Sequence, residues 1–150
     1  MQVDTWMSRR VHTVKPHDTI AHARALMEAH RINQLPVVVE GKLVGIITDR
    51  DLRDAFPSVF DSPIEGRRKP KPPGSDPAKI QVEAVMTPHV LTLTSKDNIV
   101  EAARMMRRER VGAIPVVDHD RLVGILARSD VLDAFVALAE ADPKLSPEGA

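Results

Sequence analysis

The sequence predicts a mixed α/β (α+β) fold made of two β-α-β-β-α repeats packed about a pseudo-two-fold axis. The main observation is a duplication, because residues 7–56 and 86–135 align without a gap at a constant offset of 79 residues. The agreement is strongest where Leu-Pro-Val-Val at 35–38 matches Ile-Pro-Val-Val at 114–117. A period of this length that occurs only twice indicates two packed copies of a small domain rather than a solenoid.

The composition is that of a globular protein. Hydrophobic residues make up 43% of the 150 residues and charged residues 28%, and the net charge is zero, which argues against broad electrostatic binding to nucleic acid or to an anionic membrane. The absence of cysteine excludes disulfides, thiolate metal ligands and a cysteine nucleophile. With neither an apolar run of membrane-spanning length nor a signal-peptide core, we expect a soluble, cytoplasmic protein. Because each copy alone is marginally small, we expect the two copies to share one core.

The first half of each repeat is predicted to be a short strand followed by a helix. Residues 11–14 and 90–93 alternate between apolar and polar side chains, as half-buried strands do. Asp18 and Asp97 occupy the positions expected of N-caps, just before segments whose apolar residues recur at helical spacing.

The second half of each repeat is predicted to be a hairpin followed by a helix. Pro36 interrupts any helix, and the β-branched residues after it favour a strand. A tight turn at residues 40–41 leads to a second strand at 42–48 and to a helix that begins near Asp49. The second copy repeats these signals at the offset of 79, so that the final helix begins near Arg128.

These elements divide the chain into four segments. They are repeat 1 at 1–60, a linker at 61–80, repeat 2 at 81–138 and a flexible tail at 139–150. The linker is basic and rich in proline at 67–74 and lacks hydrophobic periodicity, so we expect it to be exposed and extended. Binding of nucleic acid through this stretch is the alternative, but no aromatic residues are interleaved with its cations.

The motif Gly-Ile-Ile-Thr-Asp-Arg-Asp at 45–51 lies where a strand is predicted to end and a helix to begin. There Thr48 can cap the helix, and the carboxylate of Asp51 can accept two hydrogen bonds from a vicinal diol such as a ribose. Arg50 adds a forked cation suited to phosphate, and free amides at a helix N-terminus favour anions. The alternative is a plain capping box, in which Thr48 and Asp51 bind only each other's backbone amides.

The order of elements, the two Pro-Val-Val strands and the Gly-x-x-Thr-x-x-Asp motif together resemble the CBS domain, which occurs in tandem pairs called Bateman modules. The resemblance covers nearly the whole chain outside the linker and the tail. The form Thr-Asp-Arg-Asp-Leu-Arg at 48–53, in a short chain, is similar to the stand-alone acetoin-utilisation AcuB-like type.

The resemblance implies an adenosyl ligand in clefts between the repeats: AMP, ADP or ATP in the first place, NAD or S-adenosylmethionine as further options, and no required cofactor. Asp51 would hold one ribose and Asp130 the other, with phosphates near Arg50 and Arg128. Adenine would lie against the first strands and the residues that precede Pro-Val-Val. The implied nucleotide-binding residues are Thr13, Val14, Asn33, Gln34, Thr48, Arg50, Asp51, Thr92, Ala113, Arg128 and Asp130, with Ile32, Leu93, Val111 and Gly112 beside them.

The second copy departs from the motif, because Ala127 stands where the first copy has Thr48. Asp130 can still bind a ribose, but one hydrogen bond or helix cap is missing, at a cost of roughly 0.5–2 kcal/mol. We therefore expect the two sites to differ in affinity.

The predicted function is that of a regulatory adenine-nucleotide-binding module, not an enzyme, that senses its ligand and signals to an unidentified protein partner. The resemblance also implies a homodimer formed through the paired helices. From the composition and the zero net charge, we expect no membrane partner, and nucleic acid is not the expected partner. The alternative is a ligand-free dimerisation or interaction scaffold, which Ala127 favours at one site. No catalytic or metal-binding residues are predicted, since the histidines of the first copy (His12, His17, His22 and His30) lack the spacing and the acidic partners of a metal site.

Overall fold

The computed structural model describes residues 1–55 and 76–146, and the chain forms two compact units. The first unit contains His12–Val90, and the second combines Met1–Val11 with Leu91–Ala150. Each unit thus contains residues from both predicted repeats. The predicted division into repeats, linker and tail, like the pseudo-two-fold packing, stays a prediction, and the basic stretch 67–74 and the chain end 147–150 lie outside the described residues.

The secondary structure is mixed, with helices and antiparallel strands, and confirms the predicted fold class. In chain order the helices are α1 (Val3–Trp6), α2 (Ile20–His30), α3 (Asp49–Ala55), α4 (Ile99–Glu109) and α5 (Arg128–Ala141), and the strands are β1 (Gln34–Val39), β2 (Lys42–Thr48), β3 (Ala113–Asp118) and β4 (Arg121–Ala127). A short 3-10 helix, Val82–Ala84, belongs to the first unit. Helix α5 includes the first three residues of the predicted tail.

Helices α2 and α4 are capped one residue later than predicted. The Oγ1 atom of Thr19 accepts a hydrogen bond from the His22 amide at 3.1 Å, and the Oδ1 atom of Asn98 accepts one from the Val100 amide at 2.8 Å. Asp18 instead accepts from the amide of Lys15 at 2.8 Å and closes the turn before the helix. The N-cap prediction for Asp18 and Asp97 is therefore wrong by one residue, because a carboxylate at this position reaches back to the preceding turn.

The two hairpins, β1–β2 and β3–β4, confirm the predicted tight turns. Glu40 and Gly41 have φ angles of 50° and 80°, and His119 and Asp120 have 51° and 65°. Positive φ at both central residues is characteristic of the type I′ turn, whose twist matches that of the flanking strands. The helices that follow the hairpins begin at Asp49 and Arg128, as predicted.

The predicted strands at 11–14 and 90–93 are reduced to one bridging residue each. Val14 pairs in parallel with Val37, and Leu93 pairs with Val116. The prediction of longer strands is wrong because the turn closed by Asp18 begins at the residue after Val14.

Buried side chains form two separate clusters, one in each unit, so the expectation of one shared core is wrong. The first unit's core contains Val14, Ile20, Ala23, Met27, Leu35, Val37, Ile47, Leu52 and Val82. The second unit's core contains Val3, Met7, Leu93, Ile99, Ala102, Met106, Ile114, Val116, Leu126 and Ala134, and Trp6 packs against it. Each core is completed by a short segment from the start of the other repeat: Val82 in the first unit, and Val3 and Met7 in the second.

These exchanged segments are joined to the second strand of each hairpin. Thr87 and Ile46 exchange backbone hydrogen bonds of 2.8 and 2.9 Å, and Ser8 and Ile125 exchange two of 2.9 Å. The close approach requires glycine on the strand, because a Cβ atom at Gly124 would lie 2.7 Å from the Met7 sulfur. Among the described residues, no helix is both long and apolar enough to cross a membrane.

Candidate functional site

The junction between β2 and α3 in the first unit holds Thr48 and Asp51 in a reciprocal pair. The Oδ2 atom of Asp51 accepts from the Thr48 amide at 2.9 Å, and the Oγ1 atom of Thr48 accepts from the Asp51 amide at 3.0 Å. The capping box that was left as an alternative is therefore present. It does not exhaust the carboxylate, which has about four lone-pair positions for hydrogen bonds.

Two of the predicted adenine contacts lie beside this cap. Gln34 is paired with Thr48 in the β1–β2 ladder, and the carbonyl oxygen of Asn33 accepts from the Asp49 amide at 2.8 Å. The strand register therefore gathers Asn33, Gln34, Thr48 and Asp51 at one end of the hairpin.

Three other predicted residues of the first unit are placed differently. The side chain of Val14 is 1% exposed and belongs to the core, so that it offers a ligand only its backbone. Thr13 precedes it, on the edge of β1 opposite β2. The guanidinium of Arg50 is paired with Asp54 along α3, with 3.6 Å between Nε and Oδ2, and is exposed to solvent.

Sequence reasoning missed Thr87, whose hydroxyl donates to the Oδ1 atom of Asp51 at 3.4 Å. The backbone pairing of Thr87 with Ile46 holds it there. A signal existed in the sequence, because the duplication places a hydroxyl residue at both Ser8 and Thr87.

The corresponding junction of the second unit, between β4 and α5, has half of the box. The Oδ2 atom of Asp130 accepts from the Ala127 amide at 2.7 Å, but Ala127 has no oxygen to accept in return. The hydroxyl of Ser8 donates to the Arg10 carbonyl at 3.3 Å. Burial raises the pKa of the Asp130 carboxyl above its ordinary value and the negative charge of Asp133 raises it further, while the Ala127 amide acts in the opposite direction.

The remaining predicted residues of the second unit lie around this junction or next to its hairpin. Ala113 is paired with Ala127, and the Arg128 amide donates to the Gly112 carbonyl at 3.0 Å. The Arg128 guanidinium lies over Gly112, since its Cζ and Nε atoms are 3.8 Å from the position of a Cβ there. Thr92 is exposed and precedes the bridging residue Leu93.

Among the described residues, no group of three or more histidine or acidic side chains could hold a metal ion. The rings of His12 and His30 stack instead, with centroids 3.6 Å apart.

The chain thus has the architecture of a tandem pair of small α/β domains, in which a carboxylate caps the helix after each hairpin. Comparison with known families identifies the domain. The model of the CBS domain matches residues 3–58 and again residues 82–137. The chain belongs to the CBS-domain family and carries two copies of the domain. A CBS domain-containing protein of Dictyostelium discoideum is 36% identical over 147 residues, which cover 93% of this chain and 94% of the relative.

Solved structures of CBS pairs are similar over almost their whole length. An AcuB structure from Vibrio cholerae, assigned to acetoin utilization, has a TM-score of 0.76 at 29% identity and covers 98% of both chains. CBSX2 in complex with AMP has a TM-score of 0.71 at 29% identity, covering 91% of this chain and 97% of CBSX2. The CBS domain pair of protein MJ0100, in complex with 5′-methylthioadenosine and S-adenosyl-L-methionine, has a TM-score of 0.71 at 28% identity, covering 92% and 98%.

Proposed function

We propose that this protein is a regulatory module that binds an adenine nucleotide and passes the bound state to a protein partner. The observation that carries the proposal is the cluster of Asn33, Gln34, Thr48 and Asp51 at the β2–α3 junction. AMP, ADP and ATP are the first ligands to test, followed by NAD and S-adenosylmethionine. The complexes of CBSX2 with AMP and of MJ0100 with two adenosyl compounds support this ligand class.

In this proposal a ribose diol donates to the Oδ1 atom of Asp51. The contact already there, from the Thr87 hydroxyl, is long at 3.4 Å, and the carboxylate has room for further donors. Thr87 can then turn its hydroxyl towards the sugar. Adenine lies near Thr13 and the backbone of residues 32–34. Arg50 reaches a phosphate by leaving Asp54, at small cost because exposed ion pairs contribute about 0–1 kcal/mol.

A second, weaker site is proposed at Asp130, with Thr92, Ala113 and Arg128. It lacks the threonine hydroxyl at position 127, and the raised pKa of Asp130 keeps a larger share of its carboxyl protonated in mild acid. The prediction that the ligands lie in clefts between the repeats is part of this proposal. So are the cytoplasmic location and the regulatory rather than catalytic role.

Calorimetry and thermal unfolding against the five ligands test the proposal. A ligand at 100 times its Kd stabilises the protein by about 2.7 kcal/mol. Asp51→Asn should weaken binding about 10-fold or more, since a hydrogen bond to a charged group contributes about 1.5–3 kcal/mol. Asp54→Asn, on the same helix, removes the ion-pair partner of Arg50 and should bind a nucleotide at least as tightly as the wild-type protein. If no ligand raises the melting temperature, the hypothesis of a nucleotide-binding module is wrong, and the ligand-free scaffold is the remaining function.

The same module is proposed to form a homodimer through α5. Phe135 and Val136 are 60% and 50% exposed and adjoin each other on the surface of the helix. Large apolar side chains grouped on a surface indicate an interaction site. Phe135→Glu with Val136→Glu should yield a monomer in light scattering. A monomeric wild-type protein at high concentration would contradict this assembly.

The exposed face of α5 also supports the alternative function, a scaffold that dimerises without ligand. In that case the Thr48–Asp51 box is only a helix cap, and Asp51→Asn alters stability but no binding. Calorimetry with Asp51→Asn therefore separates the two functions.

A further inference from the structure

Within the second unit, a pocket of about 400 Å³ lies between α4 and α5. Its lining includes the apolar side chains of Met106, Val131 and Leu132 and the cationic side chains of Arg107, Arg110 and Arg128. The volume falls in the range of about 300–1,000 Å³ that is usual for small-molecule sites. Three cations beside apolar side chains therefore define a candidate site for an anionic ligand.

The backbone and the local packing bring the three arginines to the pocket. Arg107 lies in the last turn of α4, and Arg110 follows the helix in the left-handed conformation, with φ at 55°. Arg128 is the first residue of α5, and its guanidinium lies over Gly112, within van der Waals distance of the position of a Cβ there. All three positions are thus set by helix ends rather than by a long loop.

Among the described residues, none of the three guanidinium groups of Arg107, Arg110 and Arg128 forms an ion pair, although their neighbours do. Arg108, also in the last turn of α4, pairs with Glu109 at 3.1 Å and does not line the pocket. A favourable interaction with the helix dipole would account for arginines in a last turn, but not for the arrival of a third arginine from another helix.

The first repeat provides an internal comparison. At the positions that correspond to Arg107, Arg110 and Arg128 it carries Glu28, Arg31 and Asp49. Both acids there are neutralised by ion pairs, Glu28 with Arg24 at 3.1 Å and Asp49 with Arg53 at 3.3 Å. The two pairing arginines stand where the second repeat has Ala103 and Leu132, which line the pocket. The first repeat thus balances its charge at these positions, whereas the second leaves three cations facing a pocket.

We propose that this pocket binds a ligand with at least two linked phosphoryl groups, whose less polar part rests on Met106, Val131 and Leu132. Each guanidinium offers a fork of donors that fits one phosphoryl group, so a single monoanion cannot satisfy all three. The proposal deepens the assignment of Arg128 to phosphate by adding Arg107 and Arg110. It shares that residue with the proposed function but requires no adenosine.

Calorimetry with inorganic tripolyphosphate and the full chain, at about 0.15 M salt, tests the pocket. The wild-type protein should bind it more tightly than inorganic phosphate. Arg107→Gln should weaken binding about 10-fold or more, as expected for loss of a charged hydrogen bond. Arg107→Glu, which introduces the residue of the first repeat, should abolish binding. Arg108→Gln removes the same charge one residue away and should change the affinity less than about two-fold.

The outcomes separate this pocket from the adenosyl site. Equal losses in Arg107→Gln and Arg108→Gln would mean diffuse attraction to a basic surface and would overturn the proposal, as would absence of tripolyphosphate binding. Asp51→Asn should leave tripolyphosphate binding unchanged. Binding of adenosine, which has no phosphate, tests the adenosyl site alone, so either hypothesis can fail while the other stands.

Discussion

The helix caps of the two units have the same backbone geometry but different polar groups. In the first unit Thr48 and Asp51 satisfy each other's amides, and the Thr87 hydroxyl adds a third contact. In the second, the Asp130 carboxylate accepts from the Ala127 amide, and position 127 has no hydroxyl to accept in return. The backbone is reproduced closely, because both copies form a positive-φ hairpin turn and end their first long helix in the left-handed conformation. The two repeats thus share their backbone geometry and differ in the polar side chains at the start of the helix that follows each hairpin.

Replacement of the strand glycines Gly45 and Gly124 tests whether the two repeats have equivalent backbone geometry, and it has the largest expected effect. A Cβ atom at Gly124 would lie 2.8 Å from the Ser8 carbonyl oxygen, and one at Gly45 would lie 3.0 Å from that of Thr87. Backbone cannot yield as easily as a side-chain end, so Gly124→Ala should lower the free energy of unfolding by about 1–3 kcal/mol, and Gly45→Ala by less. Urea unfolding measures both.

Gly112→Ala is the matched control for these variants. A Cβ at Gly112 would meet only Arg128, at an ordinary contact distance of 3.8 Å. Its free energy of unfolding should stay within about 0.5 kcal/mol of the wild-type value. If all three variants are equally stable, the exchanged segments do not press on the strands as described.

Exchanging the caps gives a smaller effect. Thr48→Ala removes the acceptor for the Asp51 amide and should cost about 1 kcal/mol. Ala127→Thr should stabilise by a similar amount, because Ala127 already has the extended conformation of an N-cap, with φ at −102° and ψ at 166°. Urea unfolding of both variants, with Thr92→Ala as a non-capping control, measures the difference. A destabilising Ala127→Thr would show that the second junction has no room for the hydroxyl.

Local sequence patterns predicted the hairpin turns and the starts of α3 and α5, and they gave the Thr48–Asp51 capping box as the alternative to ligand binding. Each of these depends on residues close together in the chain. The exchange of Val3, Met7 and Val82 between the repeats was not predicted, because apolar periodicity shows that a residue is buried but not which core receives it. Thr87 was missed for the same reason, since it lies 36 residues from Asp51 in sequence.

Asp130 should also make the stability of the second unit depend on pH. Its pKa in the folded protein is raised, chiefly by burial, so between the ordinary value of about 3.9 and the raised value the folded state holds more protons than the unfolded state. The contribution of Asp130 to the free energy of unfolding is therefore greatest at low pH and falls as the pH rises through the raised pKa. Because the Asp130 carboxyl is partly exposed, we expect this pH effect to be smaller than the effects of replacing the strand glycines and of exchanging the caps.

Carbon-13 NMR titration of the carboxyl groups measures the pKa of Asp130 directly and should place it above the ordinary aspartate value. Asp133→Asn should lower it, since the negative charge of Asp133 raises it. Urea unfolding of Asp130→Asn from pH 3 to pH 6 should lack the corresponding fall seen in the wild-type protein. A measured pKa at or below about 3.9 would mean that the Ala127 amide outweighs burial, and that Asp130 is as available to a ligand in mild acid as any exposed aspartate.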